Sequence, residues 1–121
     1  MNTHVKFVVF AHGNIINGVN GPEYDRDPMK LVKVRAGAAY ADLVRTICRG
    51  FGINPTVTRA EILHRLPILL ATQVVSYRLI LIHDDNDVES MIELAIEHGG
   101  MPIHKLFVRT YAPATKVEVN T

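Results

Sequence analysis

A single cysteine, Cys48, stands in the chain of 121 residues. One thiol cannot close an internal disulfide, so a reducing compartment is the default expectation. No apolar run approaches the roughly 20 residues that a membrane span requires, and no membrane partner is expected. The start, "MNTHVKFVVF", lacks the charged opening, long apolar stretch and small-residue cleavage site of a signal peptide. The histidines (His4, His12, His64, His83, His98, His104) form no HExxH and have no cysteine partner, which argues against zinc. "GNIINGVNG" (13–21) has the glycines of a phosphate loop without its Gly-Lys-Ser/Thr. No nucleophile–base pair is recognisable, so neither an enzyme nor a cofactor is expected. The last residues, "VEVNT", carry no Gly-Gly, which leaves ubiquitin-like conjugation without support.

What is present suits one globular domain: 48% of the residues are apolar and the net charge is +1. The charges are unevenly spread. Pro28 to Arg78 holds eight basic residues against two acids, Asp42 and Glu61. Leu79 to His104 holds six acids and no lysine or arginine. The basic middle could touch phosphates, and a nucleic-acid-binding accessory domain is the second functional reading. No basic motif interleaved with aromatics accompanies it, which argues against nucleic acid.

Periodicity predicts the elements. "HVKFVVFAH" (4–12) reads as a strand and "GNIINGVNGPEYDRDP" (13–28) as a loop. "MKLVKVRA" (29–36) alternates, with Leu31 and Lys33 on one side and Val32 and Val34 on the other, and pairs with the first strand as a hairpin. In 38–52, Tyr40, Leu43, Val44, Ile47, Cys48 and Phe51 fall on one helical face, Asp42 sits in the first turn and Gly52 ends the helix. Cys48 is then core, and Arg45 and Arg49 lie one turn apart on the outer face. "TRAEILHRLP" (58–67) reads as a strand stopped by Pro67, and "VVSYRLILIH" (74–83) as another. "NDVESMIELAIEHGG" (86–100) is helical, with Val88, Met91, Ile92 and Ala95 buried, Glu89, Glu93 and Glu97 on another face, and Gly99 at its end. "IHKLFVRTY" (103–111) is a fifth strand and 112–121 a tail. The expected fold is α+β: a mixed β-grasp sheet of about five strands, ordered ββαββα plus a final strand, with both helices on one face. Residues 1–111 form the domain.

Three aspartates and two glutamates crowd "IHDDNDVESMIELA" (82–95). A calcium loop fails, because the sixth and twelfth positions from Asp84 are Glu89 and Ala95, and from Asp85 are Ser90 and Ile96. A catalytic pair has no nucleophile or oxyanion site beside it. Asn86 or Asp87 can cap the helix, with the neighbouring acids favoured by its dipole; the surplus also suits an acidic docking surface. "PILLATQVV" (67–75), seven of its residues apolar, fits a longer strand, a buried crossover or an exposed patch for association.

"YADLVRTICRGFGINP", "ILHRLP", "LILIHDDNDVESMIELA" and "KLFVRT", in that order, resemble the N-terminal domain of plant Mutator-like (MuDR) transposases. That domain is similar to the Phox/Bem interaction domains, which have a ubiquitin-like β-grasp fold, and the match spans Val5 to Arg109. The resemblance implies a non-catalytic module for homo- or hetero-oligomerisation, with itself or another Phox/Bem-like domain as partner, in a nuclear or cytosolic plant protein. By position, Lys6 matches the family's first-strand lysine, and Lys33 and Arg35 are its companions on the basic face. Asp84, Asp85, Asp87 and Glu89 match the second half of the family's acidic motif. The first half departs: between the third and fourth strands this chain reads "HRLPILLATQVV", without an acid. The chain has no length for a nuclease domain and no cysteine-rich knuckle, so it is expected to be a standalone fragment or an excised domain.

Overall fold

The computed structural model describes residues 4–27, 30–71, 73–97 and 104–111. The elements are β1 (His4–Phe10), β2 (Ile15–Gly18), β3 (Gly21–Tyr24), β4 (Lys30–Arg35), α1 (Tyr40–Phe51), β5 (Arg59–Leu70), β6 (Gln73–Ile82), α2 (Asp85–Glu97) and β7 (His104–Tyr111). Five strands form one mixed sheet in the order β4-β1-β7-β5-β6. β1 pairs antiparallel with β4 and parallel with β7, while β5 pairs antiparallel with both β7 and β6. The fold is the expected α+β arrangement, with the first and last strands parallel at the centre as in a β-grasp.

Strand alternation sorts side chains onto two faces. Phe7, Val9, Val32, Val34, Ile62, Ile82, Leu106 and Val108 join the helical stripes Leu43–Ile47–Cys48–Phe51 and Val88–Met91–Ile92–Ala95 in the main core. α1 ends as predicted: Gly52 is left-handed (φ 68°) and its N–H donates to the Cys48 carbonyl. Burial pushes the Cys48 thiol up from its ordinary value, in keeping with a core residue. Gly99 and 112–121 lie outside the described residues.

Two expectations are corrected. The segment 13–28 is not a plain loop but carries the β2–β3 hairpin, which lies across the sheet face opposite the helices. Ile15 and Tyr24 pack there on Phe10, Leu63 and Phe107, while Val8 and Leu79 complete this second core. Gly18 pairs with Gly21 across the tip. Gly21 has φ +118°, and a Cβ there would meet the Tyr77 carbonyl oxygen at 2.6 Å. The hairpin is therefore held by close backbone approach to β6, and the Tyr77 N–H donates to the Asn20 carbonyl at 3.0 Å. A run rich in Gly, Asn and Pro hides this, because its strands are only four residues each.

Pro67, expected to end a strand, sits inside β5 opposite Tyr77. Beyond His64, β5 has β6 beside it but no further pairing with β7. A proline lacks a donor for the ladder, and a stretch with one open side tolerates that loss. "PILLATQVV" thus takes the longer-strand alternative, as the outer part of the β5–β6 hairpin. Leu70 and Val75 stay largely exposed there, at 70% and 52%. Among the described residues no helix is long and apolar enough to cross a membrane.

Candidate functional site

The basic residues that the sequence singles out are brought together. Lys6 on β1 stands directly opposite Lys33 on β4, and His4 opposite Arg35. All four alternate with core residues, so they share the sheet face away from the helices, and all are exposed. Directly opposed side chains on an antiparallel pair have Cβ atoms about 4.5–5.5 Å apart, where like charges repel.

The two carboxylates of the basic middle, and Glu23 ahead of it, serve other cations. Glu61 takes Arg109 at 2.9 Å and Arg59 at 3.5 Å. Its hydrogen bond from Arg109 does most to hold its carboxyl below the usual value. Asp42 takes Arg45 at 2.8 Å. Glu23, on the hairpin, takes Arg65 at 2.7 Å and lies 4.0 Å from Lys105. Arg65 is buried, donates through Nε to the Pro22 carbonyl at 2.7 Å and stacks 3.5 Å from the Tyr77 ring centroid. Among the described residues Lys6, Lys33, Arg35 and Arg49 form no ion pair.

The acidic residues are arranged differently from the capping expectation. Asp84, not Asn86 or Asp87, caps α2: its Oδ1 accepts the Asp87 N–H at 2.8 Å. Asp87 reaches back past the cap and accepts the His83 N–H at 3.1 Å, one residue earlier than the return bond of a capping box. That N–H is the largest cause holding the Asp87 carboxyl below its ordinary value; the hydrogen bond to the His83 ring adds to it. Asp85 serves the other helix. Ala39, at the start of α1, offers no side-chain cap, and the Asp85 Oδ1 accepts the Tyr40 N–H at 2.7 Å. The two helix N-termini thus share one cluster of carboxylates, as their dipoles favour. Glu89 is exposed on α2 and forms no ion pair among the described residues.

Ligand-type atoms of His83, Asp84 and Asp87 lie within 4.8 Å of one another. The hydrogen bonds among these residues account for that convergence. Sequence reasoning missed Glu23, read as loop, and Arg65, read as an ordinary strand residue. The two Asn-Gly dipeptides at 17–18 and 20–21, flanked by Ile15 and Tyr24, were the available hairpin signal. No family model, curated protein or solved structure matches the chain.

Proposed function

We propose that this chain is a non-catalytic protein-interaction module whose basic face, Lys6, Lys33 and Arg35, receives an acidic surface of another copy or another protein. One observation carries this: the like charges of Lys6 and Lys33 face each other on an exposed part of the sheet with no carboxylate partner among the described residues, while both acids of the basic middle, Asp42 and Glu61, are engaged by other cations. A partner carboxylate would relieve that repulsion. Asp84, Asp85, Asp87 and Glu89 form the acidic counterpart on the helical layer. Capping uses one oxygen of Asp84 and one of Asp85, leaving a second oxygen on each, and Glu89 is exposed. The resemblance to MuDR N-terminal domains extends this reading to a transposase-derived module of a plant nucleus or cytosol. Opposite faces of this kind steer encounter and fix register more than they add raw affinity.

The test is the solution mass by light scattering over a concentration series, at low and at high salt. Charge-driven assembly shrinks as salt screens it. An assembly indifferent to salt would overturn the proposal and move the contact to the apolar outer part of the β5–β6 hairpin. Salt-dependent binding of duplex DNA or RNA at the same basic face would favour the nucleic-acid reading instead.

A further inference from the structure

The basic face adjoins a sheet edge. Among the described residues β4 pairs with β1 alone, so its outer side presents backbone donors and acceptors. Beside that edge, between β4 and α1, runs an open groove of about 460 Å³. Ala38 and the nearly buried Val32, Val34 and Leu43 line it, and Arg35, Arg45 and Arg49 stand around it. Asp42, which also lines the groove, is bonded to Arg45.

We infer that the β4 edge takes an extended acidic segment of another protein as an added strand. The inference rests on the reading of the basic face as an interaction surface and adds, at its edge, an extended partner distinct from the helical acidic surface of another copy. Side chains of an added strand alternate between the two faces of the sheet. Those on the helix side enter the groove lined by Ala38 and the edges of Val32, Val34 and Leu43, with Arg49 beside them. Those on the other side lie next to Lys33 and Arg35. The fitting segment therefore alternates apolar and acidic residues. Lysine and arginine along the edge repel a second β4, so the edge selects an acidic strand over its own copy. The chain's own acidic block does not supply that strand, because Asp85, Asp87 and Glu89 lie in α2.

The probe is a fluorescein-labelled peptide, Glu-Val-Asp-Val-Glu-Val-Asp, titrated by anisotropy beside the same peptide with alternate backbone nitrogens methylated on its pairing edge. Strand addition predicts that the plain peptide binds and slows exchange of the β4 amides. The methylated peptide should bind about tenfold more weakly or worse, since each lost ladder bond removes on the order of 1 kcal/mol. Arg35→Ala and Arg49→Ala, both exposed positions, should each weaken the plain peptide by up to about tenfold. Equal binding of the two peptides, abolished by Lys6→Glu/Lys33→Glu, would overturn strand addition while leaving the basic face intact. Binding of neither peptide, with salt-sensitive assembly of the chain retained, would overturn strand addition alone. Loss of both would overturn the two readings together.

Discussion

One face of one sheet carries basic residues in two regions, and the two are treated oppositely. On β5 and the neighbouring central strand β7, Arg65 is buried under the β2–β3 hairpin and Lys105 is half-buried, and Glu23 on that hairpin serves both. At the β1–β4 end, Lys6, Lys33 and Arg35 are uncovered and have no acid among the described residues. A cation that is buried must be matched within the chain, because an unmatched buried charge is strongly unfavourable. A cation left in water carries no such requirement and remains available to a partner. The contrast separates positive charge that holds the fold from positive charge that is open to recognition.

Substitution acts most strongly at the covered region. Phe107 is fully buried and meets the Phe10 ring edge-on at 5.3 Å. Phe107→Ala should cost about 3–5 kcal/mol in urea denaturation. A much smaller loss would mean that the hairpin layer is not part of the cooperative core.

His64 tests the same principle on the helix side of the sheet. Its Nε2 is buried without a hydrogen-bond partner among the described residues, and Phe7 and His104 lie around it. Burial, with a smaller contribution from His104, lowers its pKa to about 4, against an ordinary value of 6.5. In the window between those values the unfolded chain binds the extra proton, so stability is full above about pH 6.5 and falls as the pH drops toward 4. The difference corresponds to up to about 3 kcal/mol. Denaturation midpoints across that window should show the slope, and His64→Leu should flatten it.

Arg65→Ala should destabilise by about 1.5–3 kcal/mol, the scale of hydrogen bonds made by a charged group. It should also raise amide exchange in β3 more than in β4; equal exchange would contradict the pinning role given to Arg65. Asp85→Ala should cost about 1 kcal/mol through the lost cap, and exchange should rise at the start of α1. Exchange rising only in α2 would show that Asp85 does not cap across helices.

Lys6→Ala should be the mildest for stability, within about 0.5 kcal/mol. Relief of the repulsion with Lys33 pushes the change toward stabilisation. Its effect on assembly should nevertheless be the largest of the set. Thermal melting beside light scattering separates the two quantities.

The five main strands and both helices were legible because their periods are clear: Val32 and Val34 against Leu31 and Lys33, and the stripe from Leu43 to Phe51. The hairpin was not, because four-residue strands carry too little alternation and Gly21 reads as a loop signal wherever it stands. Pro67 misled because sequence does not say that the far half of β5 has one open side. The residues of the basic face were named only through the family resemblance; the register that sets Lys6 opposite Lys33 is a finding of the structure. The acidic block was only half legible: Asp84 to Asp87 invited a capping reading, but no local pattern reveals that Asp85 caps the other helix. Glu23 and Arg65 are far apart in sequence and read as unremarkable until the hairpin brings them together.

The decisive measurement is the solution mass of Lys6→Glu/Lys33→Glu beside the parent chain at low salt, with melting curves on the same samples. Loss of assembly at an unchanged melting temperature is the predicted result. Assembly at parental strength in the charge-reversed variant would contradict the claim that the uncovered end of the sheet is where a partner binds.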